Sequence, residues 1–249
     1  MNVPSGWQYA MAANSASSRS RLSPTVRIDL AGGEHTGLTR LAAKVCGLGI
    51  SPDGTTVVAG GWGGTVSAVE TRTGQERWRL ASLARCLRFS PDGQLLALAG
   101  AGVMLVDPAD GSVRRRLLRR SPPSTYQHLA WSPDARTVAI GNEGPVGERV
   151  SVWRWQGAGE GRRPLRLPGA GDQQLDDVCD LAFSPSGALL ASAHAGGDIH
   201  VWDVESGQRR LQLRGRQESM LAVVFIDERH LAAAGRDVDR GPPVYIWDL

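Results

Sequence analysis

The chain has 249 residues, 41% hydrophobic and 21% charged, with a mean hydropathy of -0.22, and at that length roughly three quarters of the extended surface can be buried on folding. No stretch approaches the roughly 18 consecutive apolar residues of a membrane helix, and 31 glycines with 14 prolines argue against long helices and for many short strands. Twenty-seven arginines and a single lysine, Lys44, exceed the acids by only 3, so nucleic acid is disfavoured as a partner despite a pI near 9.0.

Residues 1–22 read as a flexible, serine-rich tail. Trp7-Gln8-Tyr9-Ala10-Met11-Ala12-Ala13 is interrupted by Gln8 and lacks the apolar stretch of a signal peptide, so a cytoplasmic protein is expected. The heavy use of arginine beside alanine and glycine fits GC-rich coding in a bacterium. Thr25-Val26-Arg27-Ile28-Asp29-Leu30 alternates polar and apolar residues and predicts a strand.

Beyond it one phrase recurs: Ile50-Ser51-Pro52-Asp53-Gly54, Phe89-Ser90-Pro91-Asp92-Gly93, Trp131-Ser132-Pro133-Asp134-Ala135 and Phe183-Ser184-Pro185-Ser186-Gly187, with a worn copy at Phe225-Ile226-Asp227-Glu228-Arg229. The prolines stand 39, 42 and 52 residues apart, and Asp227 lies 42 beyond Pro185. Each copy has the chemistry of a tight turn, with proline presetting the backbone, Asp bonding locally and Gly accepting a positive φ. A second phrase follows each turn: Val69-Glu70, Val106-Asp107, Val152-Trp153-Arg154, Val201-Trp202-Asp203 and Ile246-Trp247-Asp248. Polar turns and arginine-rich segments come next. Each unit therefore predicts four short antiparallel strands, with too little chain between them for a crossover helix.

Two phrases in register at a period of about 40 to 45 residues resemble the WD-repeat β-propeller family, over roughly residues 25–249. The resemblance implies an all-β chain of four-stranded blades, with repeats at 43–80, 83–120, 125–168, 177–214 and 219–249. The last repeat ends after three strands, and residues 25–30 are expected to complete it. Five repeats is fewer than the family's usual seven. A closed five-bladed ring and an open arc that associates with a partner, such as a second copy, both remain consistent with the sequence. The family's buried Asp-His pair is missing at its usual positions. Counting six residues back from each Trp position finds Gly63, Gly100, Gly147, Gly196 and Gly241, leaving Asp198 and Asp237 as substitutes.

No chemistry-bearing constellation stands out. His35, His128, His194, His200 and His230 show no metal-ligand spacing. His200 is expected on the surface and His194 in a turn. Gly60-Gly61-Trp62-Gly63-Gly64 lies between strands and reads as a hairpin turn rather than a phosphate cradle. Asp172, Asp176, Asp177 and Asp180 read as solvated loop acids. The arginines of 114–120 read as edge protection on an outer strand. Cys46, Cys86 and Cys179 share no metal spacing and are expected as free thiols.

No catalytic, cofactor or metal residue is therefore expected. The resemblance implies a non-catalytic platform for another protein or peptide. A propeller enzyme of hydrolase or quinoprotein type, with its site at the central channel, and an arginine-rich nucleic-acid surface are the alternatives. The family's peptide-docking positions fall on Lys44, Cys46, Trp62, Arg85, Gln127, Asp177, Cys179 and Arg240, with Leu83, Ala99, Thr125, Val146, Ala195, Ser219 and Leu221 at the remaining equivalents. Trp62, flanked by glycines and accompanied by Arg85, has the composition of an interface anchor.

Overall fold

The computed structural model describes residues 23–28, 35–41, 44–100, 102–118, 125–143, 150–155, 165–166, 176–215, 219–236 and 244–249. All regular structure among them is β-strand, arranged in two compact units, 1–120 and 121–249.

In the first unit, β1 (Ser23–Ile28) and β2 (His35–Leu41) form an antiparallel hairpin. A first sheet follows from β3 (Val45–Ile50), β4 (Thr56–Gly61), β5 (Thr65–Glu70) and β6 (Glu76–Ala81). The second sheet comprises β7 (Ala84–Phe89), β8 (Leu96–Gly100), β9 (Val103–Val106) and β10 (Val113–Leu118). In the second unit, β11 (Thr125–Trp131), β12 (Thr137–Glu143), β13 (Val150–Arg154) and the short β14 (Leu165–Arg166) make a third sheet. The fourth is β15 (Val178–Phe183), β16 (Leu189–His194), β17 (Asp198–Asp203) and β18 (Arg209–Arg214). The last, β19 (Ser219–Phe225), β20 (His230–Arg236) and β21 (Val244–Asp248), has three strands. Strands within each sheet are antiparallel and joined in sequence order, as blades of a propeller are.

The recurring phrase makes the turn between the first two strands of each four-stranded sheet. Ser90 Oγ–H donates to Asp92, Leu95 N–H donates back to Ser90 Oγ at 2.9 Å, and Gly93 N–H closes on the Ser90 carbonyl at 2.9 Å. Gly54, Gly93 and Gly187 hold φ of 72°, 71° and 77° there, and Ala135 holds 58° in the third sheet.

Sheets stack through their apolar faces. Val66 and Ala68 of β5 pack with Leu87 and Phe89 of β7, and Ile199 and Val201 of β17 with Met220, Val223 and Phe225 of β19. Polar contacts lock the stack. Trp78 Nε1–H donates to the Pro108 carbonyl at 2.7 Å, and Val223 N–H donates to the Asp180 carboxylate at 3.0 Å. Asp180 is thus a structural acceptor between the fourth and last sheets rather than a solvated loop acid.

Of residues 25–30, those described lie in β1, which pairs with β2, Arg27 opposite Thr36 and Ile28 opposite His35; Asp29 and Leu30 lie outside the described residues.

Candidate functional site

One end of each innermost strand carries a β-bulge. The register skips Cys46 in β3 (Val45 opposite Gly61, Gly47 opposite Gly60), and likewise Arg85 in β7, Gln127 in β11, Cys179 in β15 and Leu221 in β19. These are the five positions lying four residues ahead of the turn-phrase aromatic. An extra residue leaves the ladder and its side chain is re-aimed out of the pleat. Bulging is the physical reason why these positions can face a ligand, and no residue type signals it in the sequence.

In the first unit the structure brings Lys44, Cys46, Trp62 and Arg85 together. Trp62 begins the turn after β4, where its N–H donates to the Lys44 carbonyl at 3.1 Å. The Cys46 thiol lies 3.6 Å from that same carbonyl. Gly61 is needed for this approach: a Cβ there would stand 2.5 Å from the Lys44 oxygen. Trp62 is 53% exposed, and the Arg85 guanidinium sits over its ring, 3.8 Å from the centroid. Arg85 Nε is buried without a hydrogen-bond partner among the described residues. A guanidinium held against an indole presents a planar, permanently charged fork suited to carboxylates.

In the second unit the equivalent positions are quieter. Asp177 accepts the Ala195 N–H at its carbonyl (2.9 Å), and the Cys179 thiol lies 3.9 Å from that oxygen. Gln127 is half-buried, and no aromatic stands at the place of Trp62, which Ala195 takes. Ala99, the counterpart in the second sheet, is fully buried. Arg240 and Val146 lie outside the described residues. Cys46, Cys86 and Cys179 are free thiols.

The fourth sheet holds a polar chain that sequence spacing missed. Trp202 Nε1–H donates to Ser192 Oγ at 3.0 Å; Ser192 Oγ lies 2.9 Å from His194 Nε2; His194 Nδ1 lies 2.9 Å from the Asp176 carbonyl. A carbonyl only accepts, so His194 carries its proton on Nδ1 and takes the serine hydroxyl at Nε2. His194 is therefore the last residue of β16 and buried, not a turn residue, and Asp198 instead serves Gln212 and Arg214 on β18. His200 is corrected as well. It is 2% exposed, its ring centroid 4.8 Å from that of His194 with the planes tilted by 41°, and set edge-on against Trp202 at 5.6 Å, with neither nitrogen hydrogen-bonded among the described residues. Burial, with His194 and Arg209 nearby, pushes its pKa down to about 4, against a smaller opposing pull from Asp198. Single alternation on a strand could not distinguish this site from a solvated face, because both faces of β17 are covered.

Trp202, Ser192 and His194 are consumed by one another, and no group of three His, Cys, Asp or Glu able to hold a metal occurs among the described residues.

A family profile described as "WD domain, G-beta repeat" matches residues 35–67 and 169–203. The chain is 27% identical to telomerase protein component 1 of Rattus norvegicus over 67% of its own length and 6% of the relative's. It is 30% identical to nuclear distribution protein nudF 1 of Talaromyces marneffei over 57% of its length and 29% of that protein. Against COMPASS component SWD3 of Saccharomyces cerevisiae the identity is 24%, over 56% of this chain and 41% of the relative. The chain thus spans less than half the length of each.

Proposed function

Starting from the fact that this chain is a WD-repeat protein, we propose that it is a cytoplasmic, non-catalytic platform that binds another protein through a peptide laid across the bulged ends of its inner strands. The observation that carries the reading is the Arg85 guanidinium stacked on the half-exposed Trp62 ring, with Lys44 beside it. Tryptophan and arginine dominate interface hot spots because they offer large contact area and directional donors at small entropic cost. A carboxylate meeting the Arg85 fork, next to an aromatic group meeting Trp62, fits this pair. Two relatives are named as components, of telomerase and of COMPASS, which agrees with a role in assemblies.

The test is a peptide-display selection against the full chain, followed by titration of the winning peptides into variants. Acidic, aromatic-containing peptides are expected, with Trp62→Ala costing on the order of 2 kcal/mol of binding. Binding unchanged by both Trp62→Ala and Arg85→Glu, in variants with wild-type unfolding midpoints, would place the docking site elsewhere.

A further inference from the structure

The end of the fourth sheet beside its docking positions is built around two buried imidazoles. His194, the last residue of β16, and His200, in β17, are each 2% exposed, with ring centroids 4.8 Å apart. His194 is fully committed: Nε2 takes the Ser192 hydroxyl, and Nδ1–H donates to the Asp176 carbonyl at 2.9 Å. One residue on, Ala195 N–H donates to the Asp177 carbonyl at 2.9 Å. Gly196 leaves a space that the Asp176 carboxylate fills, since a side chain on residue 196 would overlap it. His194, Ala195 and Gly196 thus seat the Asp176–Asp177 segment on the β16–β17 turn. That segment leads into β15 and the bulge at Cys179.

His200 is the uncommitted member of the pair. Neither ring nitrogen has a partner among the described residues. It lies opposite Ser192 of β16 and Gln212 of β18, and Gln212 is turned to the Asp198 carboxylate. His194 from β16 and Arg209 from β18 oppose a proton on His200; Asp198, at the start of β17, favours one but is already shared by Gln212 and Arg214. The third sheet packs Val150 and Val152 of β13 beside Trp202, and the one charge of β13, Arg154, is exposed. Asp180 of β15 accepts the Val223 N–H of the last sheet. An imidazolium here has two N–H donors and no acceptor, so it holds its proton only where the ring reaches water. Only Asp198 and Ile199 separate His200 from the β16–β17 turn, and His194 stands in between as the neighbouring ring.

We infer that the His194–His200 pair is an acid-sensitive latch: a proton taken up there frees the Asp176–Asp177 segment from the β16–β17 turn while the rest of the fourth sheet stays folded. The proton goes to His200. Its ring, moving toward the turn, displaces His194 and breaks the bond to the Asp176 carbonyl, and the Ala195–Asp177 bond opens with it. The closed form holds His200 at about 4 against an ordinary 6.5, so a falling pH favours the open form through that interval and no further below it. The release itself is independent of docking at Trp62 and Arg85. Only its consequence, that acid unseats the docking positions Asp177 and Cys179, rests on the proposed function.

The test is hydrogen exchange of the Ala195 amide in the full chain, followed by NMR at about pH 7.5 and 5 and corrected for the intrinsic rate. Protection of Ala195 should fall about thirtyfold at the lower pH, as linkage requires when opening moves the pKa from about 4 to 6.5. Urea below the unfolding transition should leave that fall unchanged, because a local opening exposes little surface. His200→Phe, which keeps a ring and removes the titrating nitrogens, should hold Ala195 protection constant between the two pH values. Constant protection in the wild type, or a fall that grows with urea as global unfolding would, overturns the proposal. So does an undiminished fall in His200→Phe. The two wild-type measurements decide the matter by themselves where that variant does not fold.

Discussion

Pro52 in the first sheet corresponds to Pro185 in the fourth, and in that register Ala59, Gly61, Ser67 and Val69 stand where the fourth sheet has Ser192, His194, His200 and Trp202. Both sets are buried in sheets of the same four-stranded topology. The fourth sheet fills the space with large polar rings that satisfy one another from Trp202 through Ser192 and His194 to the Asp176 carbonyl. In the first sheet the space is filled by small side chains and by closer approach of the backbone, Gly61 lying against the Lys44 carbonyl, while Ser67 Oγ–H is turned outward to the Glu76 carboxylate at 2.8 Å. A blade needs a sealed interior with no unpaired polar group, and either solution meets that condition. His200 is the exception, since neither of its ring nitrogens has a hydrogen-bond partner among the described residues.

The comparison breaks most directly at Trp202. Trp202→Ala should cost about 3–5 kcal/mol, because it leaves a cavity and removes the donor to Ser192 Oγ. Val69→Ala at the matching site should cost only about 1–2 kcal/mol. Urea denaturation of both variants checks this, and equal losses would show that the polar chain contributes nothing beyond its volume.

Acid should act on the fourth sheet next. The folded pKa of His200 is about 4, against an ordinary value of 6.5, so the unfolded chain binds the proton more readily. Its contribution is therefore complete above pH 6.5, falls as the pH drops, and stops falling below pH 4. The loss should approach about 3 kcal/mol, seen in denaturation midpoints at pH 7.5 and 4.5. His200→Ser, which installs the residue of the first sheet, should flatten that slope even if it lowers stability at neutral pH.

Backbone approach in the first sheet gives the converse test. Gly61→Ala should cost about 1–3 kcal/mol, because the new methyl meets a carbonyl that cannot move without breaking its bond to Trp62. A neutral Gly61→Ala would mean that the first sheet has slack which the comparison denies it. The turn common to both sheets offers the smallest effect. Ala135 holds a φ of 58° where Gly54 and Gly187 stand in the first and fourth sheets. Ala135→Gly should raise stability by about 0.5 kcal/mol, since relief of left-handed strain slightly exceeds the entropy that glycine loses.

The sequence by itself determined the sheets and the turns that punctuate them. Ser, Pro, Asp and Gly within four residues set each hairpin through bonds such as Ser90 to Asp92, and those bonds need no distant partner. It also pointed to Trp62 and Arg85, because glycines around a tryptophan leave its ring uncovered. Only the tertiary structure decided that the docking positions are bulges, since a bulge depends on the register of two strands and not on the identity of Cys46, Gln127 or Leu221. It alone buried His200, because an alternating strand looks the same whether solvent or a neighbouring sheet lies over its second face. It alone paired β1 with β2, because hydrophobic alternation does not show which strand lies beside which. Turns are settled by neighbours along the chain; burial, register and strand partners are settled by whatever the rest of the chain brings against them.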